Sequence, residues 1–137
     1  AAILGFSIYS TVKSQTGIDN IDGFAGLLNN NKLLAIGFLT ALLSFAGIPP
    51  LSGFFGKYFI IAHAVLGAYY GLAIIAVVFS VMGAYNYLRI SAAIVKNSDG
   101  IPTLQISTPY KLYIILSMLA IVLIGIFPDQ ILRFLNI

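Results

Sequence analysis

The chain has no cysteine and no tryptophan, one histidine, and only seven Lys/Arg and four Asp/Glu among 137 residues. Without cysteine it can carry no disulfide framework, no thiolate zinc site and no cysteine-ligated iron–sulfur cluster. The single histidine, His63, is too few for a haem with two His ligands or a His-rich metal centre. Charged residues make up 8% of the chain, against roughly 25% in soluble domains, which is too few to coat a compact particle in water. That argues against a soluble enzyme, a disordered tail and a nucleic-acid binder. The net charge of +3 comes from scattered cations, so there is no phosphate-binding stripe. What the chain has in quantity is apolar: 60% of its residues are hydrophobic and its mean hydropathy is +1.02. Composition therefore predicts an all-α integral membrane segment.

The apolar stretch 1–12 is too short to cross a bilayer, which takes about 20 residues, and is read as the end of a helix that starts upstream. The chain is accordingly expected to be a fragment, or one product of a split or processed larger protein. A polar linker, 13–32, follows. Within it Ile18, Ile21, Phe24, Leu27 and Leu28 recur at helical spacing behind Asp19, predicting a short amphipathic helix in the membrane surface with Asp19 as its cap.

Segment 33–66 contains one charged residue, Lys57, and as a single straight helix would measure about 50 Å, well beyond a hydrocarbon core of roughly 30 Å. Ile48-Pro49-Pro50 interrupts it between Gly47 and Gly53. Two prolines remove two backbone donors and push the residue before each out of the helical region. A discontinuous span is predicted, helical to about Ala46 and again from about Leu51, with a tight helical hairpin as the alternative. Irregular backbone at that depth survives only where protein or trapped water satisfies it. A continuous span, 68–95, follows, carrying Tyr69 and Tyr70 at one end and Tyr85, Tyr87 and Arg89 towards the other, as an aromatic belt would. The hinge Lys96-Asn97-Ser98-Asp99-Gly100 and Pro102 separate it from a last span, 110–127, and 128–137 reads as a short amphipathic tail bearing Asp129 and Arg133. The expected architecture is thus the end of one helix plus three transmembrane spans, the first broken at Ile48–Pro50. Lys13, Lys32, Arg89, Lys96 and Lys111 fall on one side and Arg133 alone on the other, so the positive-inside rule puts 13–32 and 96–109 in the cytoplasm or matrix.

Lys57 is the informative side chain. An ionisable group inside an apolar run costs roughly a few kcal/mol and is by default a functional-site hypothesis. The alternative is a snorkelled anchor whose four-carbon stem reaches the headgroups. From position alone the two stand level, and the adjacent break favours the first. Unwound backbone beside an amine makes a hydrated polar pocket, and burial favours the neutral amine, which makes proton release feasible. A structural cation would want an acidic partner, and this span has none, so that partner is expected from elsewhere. His63, about 120° around the helix from Lys57, reads as an interfacial or hydrogen-bonded histidine before it reads as a proton relay. Ser44, Thr40, Ser80 and Asn86 are the other polar groups at depth; Ser and Thr there usually bond their own backbone.

The run from Leu42 through Gly47-Ile48-Pro49-Pro50-Leu51-Ser52-Gly53-Phe54-Phe55-Gly56-Lys57, with Tyr85-Asn86-Tyr87-Leu88-Arg89 some thirty residues on, resembles the antiporter-like subunits of respiratory complex I. The pattern is nearest to the chain-two or subunit N branch. Chain four usually has Glu where Lys57 stands, and chain five usually follows the lysine with an acid, where this chain has Tyr58. Asn86 departs from the more usual Tyr. The resemblance covers essentially the whole chain, as the C-terminal part of that subunit. It implies a discontinuous helix at Pro49–Pro50 and a proton-channel role for Lys57, with the remaining channel residues on helices outside this sequence. It further implies a subunit of NADH:ubiquinone reductase with no redox chemistry on this chain, FMN, iron–sulfur clusters and ubiquinone being held by other subunits. The implied partners are the remainder of the chain-two protein, neighbouring antiporter-like subunits and lipid. A multisubunit sodium–proton antiporter shares the motif and is the alternative family member; a purely structural span is the alternative role. The isoleucine-rich composition suggests an organellar genome and a mitochondrial inner membrane, with a bacterial plasma membrane or a thylakoid membrane as alternatives.

Overall fold

The computed structural model describes residues 1–17, 19–96 and 102–128. Ile18 of the linker, the hinge residues 97–100 and the tail beyond Pro128, with Asp129 and Arg133, lie outside the described residues. Every regular element among those described is helical: α1 (Ala2–Thr16), α2 (Leu27–Asn30), α3 (Lys32–Ala46), α4 (Ser52–Leu66), α5 (Tyr70–Val95) and α6 (Thr108–Ile126).

The linker is not one amphipathic helix. Gly17 ends α1 in the left-handed region (φ 71), and Gly26 (φ 85) separates a single 3-10 turn at Asp22–Phe24 from α2. Asp19 caps nothing. Its carboxylate accepts hydrogen bonds from Lys13 Nζ (2.9 Å) and from the Tyr9 hydroxyl. The Lys13 bond, then the Tyr9 bond, hold the Asp19 carboxyl below its usual range. Both partners are exposed, so the pair contributes little to stability. Phe24 and Leu27 are buried, whereas Ile21 is 39% exposed. The apolar face exists, but on two short pieces.

α5 and α6 are long and apolar enough to cross a membrane, while α3 and α4 fall short singly. The neighbours of α5 show why. Phe45 of α3 stacks on Tyr87 (5.2 Å), and the Gly26 amide near the start of α3 donates to the Lys96 carbonyl (3.0 Å). Nearer the start of α5, Tyr58 and Ile61 of α4 share a cavity wall with Val77 and Val81, and Val65 shares another with Ala73 and Ile74. α5 rises about 39 Å over its 26 residues and is met first by α4 and then by α3, both antiparallel to it. The segment is therefore one broken span, and the hairpin alternative is excluded.

α3 is the central helix, packed against α1, α5 and α6. Leu4, Ile8, Leu34, Ala35, Ala41, Ile114 and Ile121 form the interior. Among helices in lipid there is little hydrophobic driving force, so close packing and hydrogen bonds carry association. The polar clamps lie at one end. Gln15 exchanges two hydrogen bonds with the Gln105 backbone (3.0 and 3.2 Å). Asn31, itself buried, donates to the Pro102 carbonyl (3.0 Å) and accepts from the Leu104 amide (2.8 Å). These ties bring Lys13, Lys32, Lys96 and Lys111 to the same end of the bundle.

Candidate functional site: a lysine at the broken helix

The break follows from local chemistry. Gly47 adopts φ 82, and its amide reaches the Leu43 and Ser44 carbonyls (both 3.1 Å), while the Ile48 amide bonds Leu43 (3.1 Å). This is a Schellman closure, and it satisfies two of the four carbonyls that a helix leaves unpaired at its end. In a continued helix the amides of residues 49 and 50 would bond the carbonyls of residues 45 and 46. Proline has no amide hydrogen, so Pro49 and Pro50 leave those two carbonyls without donors.

Lys57 takes their place. Its Nζ donates to Phe45 O at 2.7 Å and to Ala46 O at 3.4 Å. Its stem crosses Gly47, where a Cβ would lie 3.2 Å from Lys57 Cδ. The amine thus sits at the negative pole of α3, where a cation is favoured by a few tenths of a kcal/mol to about 1 kcal/mol or more when partly buried. The sequence leads one to expect a buried lysine with an acidic partner. The structure shows a half-buried lysine whose bonds go to backbone carbonyls. Among the described residues the ion pair is Lys13–Asp19, far from this site.

The chain re-enters helix through a Pro49–Pro50 cis peptide and an Ile48 O–Leu51 N bond (3.0 Å). Ser44, completely buried, accepts from the Gly53 amide (3.1 Å), supplying one of the acceptors that the first turn of α4 needs. Two glycines allow this. A Cβ on Gly53 would fall 1.8 Å from the Ser44 carbonyl oxygen, and one on Gly125 of α6 would fall 1.8 Å from that of Pro50. Gly125 is a residue the sequence reading missed. Its signal was a solitary glycine inside an otherwise unbroken apolar helix.

A cavity of about 280 Å³ opens beside Lys57, between α4 and α5, walled by Ala46, Gly47, Phe54, Tyr58, Val77, Ser80 and Val81 among others. Of the other polar groups named from the sequence, Ser80 reaches this wall. His63 does not: it is exposed, and its Nδ1 donates to the Phe59 carbonyl (2.8 Å). Asn86 is exposed on α5, and Thr40 bonds back to Ile36 O (2.8 Å).

Residues 2–83, which include the break and Lys57, match the family described as NADH:quinone oxidoreductase/Mrp antiporter, transmembrane. The chain belongs to that family. Among curated members, NADH-quinone oxidoreductase subunit N 1 of Koribacter versatilis is 38% identical over 96% of this chain and 26% of its own length. Its namesake from Rhizobium meliloti is 49% identical over 53% of this chain and 15% of its own length. NAD(P)H-quinone oxidoreductase subunit 2 of Crocosphaera subtropica is 34% identical over 89% and 26% respectively. A chain of respiratory complex I from Thermus thermophilus with bound aureothin superposes with a TM-score of 0.82 at 28% identity, covering 96% of this chain and 31% of that one. The chain spans about a quarter of the length of the first of these relatives. The superposition runs over nearly the whole chain, so its all-helical fold is shared with that complex I chain.

Proposed function

We propose that this chain is part of a proton-translocating membrane subunit of an NADH:quinone oxidoreductase, and that Lys57 carries the proton. The observation that carries the reading is the pair of Lys57 bonds to Phe45 O and Ala46 O. A protonated amine fills both carbonyls. A neutral amine, still bonded through one hydrogen, leaves a lone pair free to receive a proton from the adjoining cavity. Charge moving nearby in the membrane arm would bias the two states, and quinone reduction elsewhere would drive the cycle. The helix end supplies a field that retains the charged form without a carboxylate, so the lysine can be loaded at modest cost in a low-dielectric setting.

In this reading FMN, iron–sulfur clusters and ubiquinone belong to other subunits. The partners are the rest of the same subunit, the neighbouring antiporter-like subunits and lipid. The lysine-bearing end of the bundle faces the cytoplasm or matrix. The relatives named above are bacterial, which supports a bacterial plasma or thylakoid membrane beside the mitochondrial inner membrane suggested by composition. The family description also embraces Mrp antiporters. Co-purification with a flavin and iron–sulfur arm would decide for the oxidoreductase.

The test is quinone-coupled proton pumping by the assembled complex in vesicles. Lys57→Met removes the proton site, and Lys57→Arg keeps a charge that holds its proton at any accessible pH. Pumping should fall in both. A snorkelled anchor would tolerate Arg, so wild-type pumping by Lys57→Arg would overturn the proposal.

A further inference from the structure

The two half-helices end against each other, and each lacks what the other supplies. The residue at the N-cap of α4 is Leu51, in extended backbone, and its side chain has no oxygen to offer the amides of the first turn. Ser44 Oγ of α3 accepts from the Gly53 amide at 3.1 Å, doing for the second residue of α4 what a serine at position 51 would do. Ser52 Oγ adds a contact to Ser44 Oγ at 3.4 Å. In the other direction Lys57 of α4 donates to Phe45 O and Ala46 O, on the two residues that follow Ser44. Each half-helix is thus capped by a side chain of the other.

The two ties lie one turn apart on α4, because Gly53 and Lys57 are four residues apart and share a face. On α3 they fall on consecutive residues. Two points of attachment fix the angle at which α4 leaves the break, and one alone would leave it a pivot. Ser44, fully buried, is the inner point, and Lys57, half-buried, is the outer one. The outer point has little slack. With its bonds at 2.7 and 3.4 Å, a displacement of α4 by about 1 Å carries both beyond hydrogen-bonding range. Thr40, one turn earlier on α3, returns its hydroxyl to Ile36 O (2.8 Å), the ordinary habit of a hydroxyl in an apolar helix, whereas the Ser44 oxygen is turned onto α4.

Resting on the reading of Lys57 as proton carrier, we infer that Ser44 is its positioning residue: by accepting from the Gly53 amide, Ser44 sets the start of α4 so that Lys57 Nζ meets the two carbonyls freed by Pro49 and Pro50. Ser44 exchanges no proton itself. Its contribution is to hold the amine and its acceptors in one geometry while the charge on the amine changes.

The test uses the assembled, membrane-embedded complex, with a structure of each variant and pumping measured per quinone reduced. In Ser44→Ala the Gly53 amide loses its acceptor. Lys57 Nζ should then move beyond about 3.5 Å from Phe45 O, and the pumping ratio should fall at least two-fold. Ser44→Cys, close in volume and a weaker acceptor, should fall between wild type and Ser44→Ala in both readouts, and it supplies them should Ser44→Ala assemble poorly. A role in folding alone would lower the amount of complex and leave the distance and the ratio in the surviving complex as in wild type, and that result overturns the inference. So does a lower ratio with Lys57 still on both carbonyls, or a displaced Lys57 with wild-type pumping. If Ser44→Ala matches wild type while Lys57→Arg does not pump, the positioning role is wrong and the lysine assignment survives. If Lys57→Arg itself pumps normally, the reading on which Ser44 rests has failed first.

Discussion

Lys57 Nζ stands 2.7 Å from the carbonyl oxygen of Phe45, twelve residues earlier in the chain. That carbonyl lacks a helical donor because residue 49 is proline, and Ala46 O, also bonded by Lys57, lacks one because residue 50 is proline. The prolines and the lysine therefore act as one unit: two amide hydrogens are withheld, and one side chain replaces them. This relationship turns a helix defect into an acceptor site for the lysine's own ammonium group.

The break itself is open to test. In Pro49→Ala/Pro50→Ala the new amides can bond Phe45 O and Ala46 O, in direct competition with Lys57. The helix should extend, Lys57 should lose both acceptors, and pumping should fall while the complex still assembles. Pumping assays together with a structure of the variant would check this. An unbroken helix with normal pumping would dissociate the break from the function.

The two glycines that seat the break should tolerate no side chain. Gly53→Ala and Gly125→Ala each place a Cβ 1.8 Å from a backbone oxygen, so backbone must move, at a cost of about 1–3 kcal/mol or more. The amount of intact complex on a native gel should drop for both. By contrast Gly56→Ala, where a Cβ would meet nothing within 4 Å, should assemble as wild type.

Polar substitution in the linker should separate its residues by burial. Phe24, 3% exposed and packed on Tyr9 and Phe38, should lower assembly when changed to Ser, by about 3 kcal/mol or more. Ile21→Ser should be near neutral, because that side chain is already 39% exposed. In neither case should turnover per assembled complex change. A loss of turnover with normal assembly would assign the linker a role beyond packing.

The sequence by itself determined the membrane character and the place of the break, because these are local matters. Hydropathy over twenty residues, the missing amide of proline and the four-residue helical hydrogen bond involve no partner from elsewhere in the chain. It did not determine the linker, where Gly17 and Gly26 in the left-handed region overrode an apolar periodicity that looked helical. Nor could it supply the partner of Lys57. Which way α4 leaves the break depends on the stacking of α3 and α4 along α5 and on the close approach of Gly125 to Pro50, contacts made across 75 residues. Only that packing turns the lysine back onto the end of α3, and only the placing of α1 beside α6 brings Ser7 and Thr11 to the Tyr110 hydroxyl. A side chain's type is written in the sequence, whereas the acceptor it meets is chosen by helices distant along the chain.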